Sequence, residues 1–511
     1  MSAALTPHQR YRALVDAIER DCRVAEWRAG DVDLWPIASQ DLFLDLFRQA
    51  GGDTGPKPRS FLVRAAGSLA TPVANLWKSR HDLNHWVSRP ARADAVLLGD
   101  GVSLDRTGGS WRDRFGEPIA AALERQGRTC FAMQSGNLTR LPWARPTYAA
   151  NRVAARAALE AALKPGTSPD LPDHGAVLRL IEQAGVDAPS LSRGRLAKRA
   201  RVVAAQAAAF DRILRRVRPT TAFVVTYYAG LGHAFALACR RRGILCVDLQ
   251  HCPHDDPHRA YRWGVLPERG YSTLPSLFWT WTEEEAANIR RWSSTLDGPW
   301  HAAIAGGHSQ IAALTEADGD RLWGEATAAL GDRREYERNI LVALQPIGGK
   351  RETWEALTGA IESAPATWRW WIRRHPASTP EQDSSYGRLL SLRRPNVVVG
   401  PAPQTALPAL LGRMDAVVSL ASGAAGEAAM FGIPAFFLDP EAHDTFPQLI
   451  AQRHASVIRV GSLISAIASI PVGLNRRLVA VPPIEDTLLE IDRLSRQYRQ
   501  LCFEAQPAGE R

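Results

Sequence analysis

Short apolar runs alternate with amphipathic stretches along most of this chain. From residue 95 the runs are 95–98, 129–133, 222–226 and 244–249, with shorter ones at 277–281 and 301–305. Helical patterns fall between them at 116–126 and 233–242, the second closed by Gly243. A long Ala/Arg-rich stretch over 149–218 predicts helices broken at Pro165 and Pro189. The same grammar returns later. Strands are predicted at 339–344, 368–373, 397–399, 416–419 and 435–438, and helices at 354–363, 405–412 and 424–431. Apolar runs of this length, separated by helices, are the signature of parallel strands buried on both faces. Two such series predict two doubly wound α/β domains.

The flanks read differently. Residues 1–90 predict a mainly helical extension, with Ser39 capping a helix that carries Leu42, Phe43, Leu46 and Phe47 on one face. At the other end, residues 484–503 place Leu488, Ile491, Leu494, Tyr498 and Leu501 at three- and four-residue spacings, an amphipathic helix. The expected organisation is an extension over 1–90, a first domain over 91–307, a second over 308–475, and a terminal segment over 476–511.

Composition narrows the class. Hydrophobic residues make up 45% and charged residues 23%, the balance of a globular protein. No apolar run approaches the length of a spanning helix, and the N-terminal residues lack the apolar stretch of a secretory signal, so a cytoplasmic location is expected. Six scattered cysteines form no CxxC pair and no disulfide framework. A net charge of +9, carried almost wholly by arginine, favours phosphate-bearing partners: nucleotide donors, or an anionic membrane face. No nucleic-acid-binding motif is present in the sequence, and nucleic acid is not an expected partner.

In open α/β sheets, ligands meet the residues just beyond the carboxyl ends of the strands. After 368–373 come Arg374, His375 and Pro376. An arginine grips phosphate through paired hydrogen bonds, and a histidine donates to a phosphate oxygen. After 416–419 comes Ala421-Ser422-Gly423-Ala424-Ala425-Gly426-Glu427, a small-residue loop entering a helix. There Ser419 and Ser422 offer hydroxyls, Gly423 admits close backbone approach, and Glu427 is one turn in, where a carboxylate meets ribose hydroxyls. Lys350 stands beside Gly348 and Gly349 without P-loop spacing, and an exposed turn lysine is an equal reading. In the first series, 244–249 leads into Gln250-His251-Cys252-Pro253-His254-Asp255-Asp256-Pro257-His258. No second Cys/His cluster completes a zinc site, so no metal is expected. His251 or Asp255 instead suits a base acting on an acceptor hydroxyl, as do Asp100, Asp105 and Asp113 of the segment after 95–98.

Taken together and in this order, Gln250-His251, Arg374-His375-Pro376 and the segment from Ser419 to Glu427 resemble the GT-B glycosyltransferases of bacterial capsule and surface-polysaccharide assembly. The likeness spans residues 91–459, and its His-Pro element and serine loop are similar to those of sialyl- and Kdo-transferases. The resemblance implies two facing Rossmann-like domains, with the terminal helix crossing back to the first. His375 and Ser422 then become donor-phosphate ligands, assisted by Ser419. It also implies a nucleotide-sugar donor as substrate with no further cofactor, a glycan or lipid-linked acceptor, and peripheral contact with the inner membrane face. A doubled acid before glycine, the acidic signature of sialyltransferases, is absent, and Cys252 stands where many relatives have glycine. A CDP-polyol phosphotransferase, a sugar-nucleotide epimerase and a non-catalytic scaffold remain alternatives.

Overall fold

The computed structural model describes residues 5–49, 86–101, 103–136, 141–163, 166–253, 258–294, 298–316, 319–330, 335–345, 351–375, 386–400, 405–471 and 478–505. The chain forms two compact units. Unit 1 comprises residues 1–103, 115–309 and 482–511; unit 2 comprises 104–114 and 310–481.

Unit 1 is built on a seven-stranded parallel sheet. Its spatial order is Ala302–Ala305, Leu277–Thr280, Leu245–Leu249, Thr221–Val225, Ala95–Gly99, Cys130–Gln134, Thr147–Ala149. Four of these strands, Ala95–Gly99, Thr221–Val225, Leu245–Leu249 and Leu277–Thr280, are buried along their whole length, which is why their sequences are mostly apolar. Helix Arg193–Val217 buries Leu196, Ala200, Val203, Ala207, Phe210, Leu214 and Val217, alternating steps of four and three that keep one stripe on the core. Helix Gly232–Arg241 starts against the preceding turn: a Cβ on Gly232 would lie 2.1 Å from the Tyr227 carbonyl oxygen, so only glycine fits.

The N-terminal helices Pro7–Asp21 and Trp35–Gln49 share this core rather than forming a body of their own. Buried Glu19 accepts hydrogen bonds from the Trp35 indole (2.8 Å) and the Gly264 amide (2.9 Å), tying them down. Ser39 is not a cap. The helix begins at Trp35, with Pro36 in its first turn, and the Ser39 hydroxyl donates back to the Pro36 carbonyl. Ala149, read as helical in the sequence, closes the short edge strand Thr147–Ala149 instead. Helix Ile484–Glu504 belongs to unit 1. It buries Ile484, Leu488, Ile491 and Tyr498, and pairs Glu485 with Arg125 (2.6 Å) and Asp492 with Arg128 (3.0 Å).

Unit 2 is built on a six-stranded parallel sheet, ordered Val397–Gly400, Trp368–Arg373, Arg338–Ala343, Ala416–Ser419, Ala435–Phe437, Ala455–Val457. In chain order this is 3-2-1-4-5-6, the doubly wound arrangement, and the first six strands of unit 1 repeat it. The fold class is therefore α/β with two doubly wound sheets. One element departs from the expected boundaries. Residues 104–114, expected within the first domain, group with unit 2, where Leu104–Thr107 and Ser110–Asp113 form an antiparallel hairpin. Gly108 (φ 57°) and Gly109 (φ 78°) make its turn, both left-handed as a two-residue hairpin turn requires.

Candidate functional site

A doubly wound sheet opens a crevice where neighbouring strands send their connections to opposite faces. In unit 2 that switch point lies between Arg338–Ala343 and Ala416–Ser419. Gln345, just beyond the first strand, accepts a hydrogen bond from the Ala421 amide (2.9 Å) and donates one to the Ala421 carbonyl. The Tyr386 hydroxyl in turn holds the Gln345 carbonyl. This clamp fixes the loop that carries Ser422 and Gly423. Ser419 is buried, and its hydroxyl accepts from the Ser422 amide (3.3 Å); the Ser422 hydroxyl accepts from the Ala424 amide (3.3 Å). Ser422 and Gly423 are half-buried, and so are Arg374 and His375, which follow Trp368–Arg373 on the other side of Arg338–Ala343. Hydroxyls and small-residue backbone thus stand beyond Ala416–Ser419, and a guanidinium and an imidazole two strands away, beyond Trp368–Arg373, groups of the kind that pair with anions.

Behind these groups lies a buried charge cluster. The Arg373 guanidinium turns inward, donating to the Thr405 carbonyl (2.8 Å) and standing 3.8 Å from Asp105. Burial pushes its pKa down to about 10, the Arg114 charge adds to the shift, and Asp105 and Glu427 oppose it. Asp105 also accepts from the Gln310 side chain (2.8 Å) and is 2% exposed. Asp105 is therefore a counter-charge within the hairpin's seat, a role that its reading as a base did not include. Glu427 is similarly engaged: it is 3% exposed and its carboxylate meets Arg114 at 2.6 Å. Burial works against the Arg114 charge, but Glu427 and Asp105 outweigh it and raise its pKa. Arg114 thus occupies the carboxylate that sequence reasoning had assigned to ribose. Helix Ala424–Ala429 has only six residues, so its dipole adds little beyond its first amides.

Unit 1 presents a different set. Its switch point lies between Ala95–Gly99 and Thr221–Val225. Asp100 accepts from the Thr226 hydroxyl (2.6 Å) and the Ser103 amide (2.8 Å). Thr226 has φ 61°, a left-handed conformation that β-branched residues rarely adopt. Strain of this kind persists where surrounding contacts over-determine it, and it concentrates at functional edges. One strand further along, His251 follows Leu245–Leu249. Its Nε2 lies 3.0 Å from the Tyr228 hydroxyl and 3.6 Å from the Cys252 sulfur, which is 3.7 Å from His258. Burial holds His258 well below the ordinary histidine range and the Tyr228 phenol well above its own, so both are neutral. Beneath them Asp248, fully buried, accepts from the Tyr261 hydroxyl (3.0 Å), and burial raises its carboxyl pKa well above the usual range. Gln250 is structural: its amide accepts from the Trp281 backbone (2.6 Å) and donates to Glu285, joining adjacent strand ends.

Asp255 and Lys350 lie outside the described residues. Among the described residues no group of three or more His, Cys, Asp or Glu is arranged to hold a metal ion, and no helix is long and apolar enough to cross a membrane. Sequence reading passed over Gln345, Thr226 and Tyr228. Gln345 and Tyr228 stand just beyond the predicted strands 339–344 and 222–226, within reach of the rule applied to His375 and Ser422, whereas Thr226 falls inside the predicted run because the strand ends one residue earlier, at Val225.

No protein-family model and no curated protein matches the chain. Solved structures that align with it include UDP-GlcNAc 2-epimerase from Neisseria meningitidis bound to UDP-GlcNAc, at 14% identity and TM-score 0.44, covering 78% of this chain and 99% of that one. A second is the Methanocaldococcus jannaschii UDP-GlcNAc 2-epimerase in complex with UDP-GlcNAc and UDP, at 12% identity and TM-score 0.46, with coverage of 78% and 99%. A third is the glycosyltransferase SnogD from Streptomyces nogalater, at 15% identity and TM-score 0.39, with coverage of 79% and 99%.

Proposed function

We propose that the protein is a GT-B-type glycosyltransferase that moves a sugar from a nucleotide-activated donor to a glycan or lipid-linked hydroxyl without an obligatory metal. The observation that carries this reading is the unit 2 switch point, where the Gln345–Ala421 clamp holds Ser419, Ser422 and Gly423 on one side of Arg338–Ala343, and Arg374 and His375 follow the strand Trp368–Arg373 on its other side. These groups take the donor diphosphate. In the transfer step, the acceptor oxygen attacks the anomeric carbon. The bond from that carbon to the nucleotide oxygen breaks, and its electron pair leaves on the diphosphate. Arg374, His375 and the serine hydroxyls stabilise the charge that builds there. His251 takes the acceptor proton, as an imidazole near neutral pH is suited to do, with Tyr228 orienting it. Lys350 and Asp255 are the further candidates for donor and acceptor contacts.

A thermal-shift titration with UDP-, GDP-, CDP- and CMP-sugars tests this. One nucleotide class is expected to raise the melting temperature, and Ser422→Ala and His375→Ala are each expected to weaken it about tenfold, the value of one hydrogen bond to a charged group. Absence of any nucleotide-dependent shift, or full affinity in both variants, overturns the donor site. Binding without turnover would instead favour a non-catalytic role.

A further inference from the structure

Unit 1 carries a strongly basic surface away from the carboxyl edge of its sheet. Arg240, Arg241 and Arg242 close the helix that leads into Leu245–Leu249, so they stand at the amino end of that strand. With Arg269 and Arg499 they line a pocket of about 780 Å³ bordered by Phe503. Arg499 and Phe503 also line a neighbouring depression of about 480 Å³, together with Arg496.

Most acids on this side are already paired with arginines, and Glu504 is held by the Gln500 amide. Arg241 holds Asp31 through two nitrogens (2.7 and 2.9 Å), and Arg242 meets Asp211 at 3.1 Å. On helix Ile484–Glu504, Glu485, Asp492 and Glu490 are paired with Arg125, Arg128 and Arg493. Arg240 is held without a carboxylate, its guanidinium 4.0 Å over the Trp300 ring. Among the described residues Arg240, Arg269, Arg496 and Arg499 have no carboxylate partner. The helix adds an apolar component to the same side. Leu489, Arg496 and Phe503 recur every seven residues, two turns apart, and Leu489 and Phe503 are 63% and 55% exposed.

We propose that this face docks on an anionic phospholipid membrane surface. The arginines meet headgroup phosphates, and Leu489 and Phe503 enter the boundary between headgroups and acyl chains. Charge complementarity draws the surface to lipid, and each unpaired arginine near an anionic bilayer strengthens binding about fivefold. A soluble phosphate would account for the guanidiniums but leave two large apolar side chains in water. The inference is independent of the transferase reading, since none of its residues belongs to the switch points.

Cosedimentation of the full chain tests it, using vesicles of phosphatidylcholine alone and of equal parts phosphatidylcholine and phosphatidylglycerol. Binding to the mixed vesicles only, weakening as salt rises, is expected. Arg499→Glu should reduce it more than fivefold, and Phe503→Ser should reduce it severalfold at unchanged charge. Arg393→Glu, an equal charge change on unit 2, should bind as the parent does. Melting curves check that each variant is folded. Equal binding to both vesicles, no binding to either, or equal losses in Arg499→Glu and Arg393→Glu overturns the proposal. Full affinity in Phe503→Ser, or complete competition by millimolar inorganic phosphate, also overturns it, in favour of a soluble anion.

Discussion

At the carboxyl edge of the first sheet, ionisable groups are kept neutral among aromatic rings: Asp248 under Tyr261, His258 and Tyr228 beside His251. In the second unit, the buried groups are guanidinium–carboxylate pairs, Arg114 with Glu427 and Arg373 with Asp105. The two sheets share the strand order 3-2-1-4-5-6, but the sets fall on different elements: Tyr228 and Asp248 at the fourth and fifth strands of the first sheet, Arg373 and Glu427 at the second and fourth strands of the second, with Asp105 and Arg114 supplied by the hairpin. What differs is dielectric strategy. In the first set burial favours the neutral forms, whereas in the second each guanidinium and carboxylate holds its partner in place.

The comparison breaks most visibly in turnover. His251→Ala should bind nucleotide as the parent does yet lose roughly 10²- to 10⁴-fold in kcat, the usual worth of a general base. Isothermal titration and steady-state rates, measured on one preparation, separate the two; normal turnover would remove the proton-accepting role from this edge.

Stability gives the next contrast. Arg114→Ala leaves Glu427 buried without its guanidinium and should cost about 3–5 kcal/mol, the range for breaking a buried ion pair. Tyr261→Phe removes one neutral hydrogen bond from Asp248 and should cost only about 1 kcal/mol. Urea denaturation of both variants reads the difference, and similar losses would show that the two edges are not held differently.

The finest test is pH. Asp248 has a raised folded-state pKa, so the native state keeps its proton after the unfolded chain has lost it, and stability falls as pH rises above the unfolded value of about 4. Asp248→Asn removes that loss. Its advantage over the parent should be near zero at pH 4 and should grow by about 1.4 kcal/mol for each pH unit above it, up to the folded-state pKa. Melting curves collected across this range would show a constant offset if Asp248 were ionised in the native protein.

Much of this was readable in the chain. The strands Trp368–Arg373 and Ala416–Ser419 fall where their apolar runs predict, because a strand covered on both faces is mostly apolar along its length. The residues after them, His375 and Ser422, follow from the same rule. The hairpin over 104–113 carried one signal, Gly108-Gly109, but its strands are mostly polar and give no apolar run that predicts them. Its attachment to unit 2 depends on Gln310, Arg373 and Glu427, partners more than 200 residues away, and no local pattern reports such contacts. The engagement of Glu427 was hidden for the same reason.

That hairpin also bears on how the protein is made. The chain leaves unit 1 after Ser103, returns at Phe115, leaves again after Ser309 and returns at Pro482. During synthesis the Arg114 side chain emerges 313 residues before Glu427, and Arg128 emerges 364 before Asp492. Unit 2 therefore lacks its full set of contacts until residue 481 has left the ribosome, and unit 1 lacks its own until helix Ile484–Glu504 has. Contacts so distant in sequence are slow to form, and a nascent chain waiting for them exposes apolar strands in the meantime. Stopping the chain at Ser309 would not yield unit 1 on its own, because the seat of helix Ile484–Glu504 would be left bare.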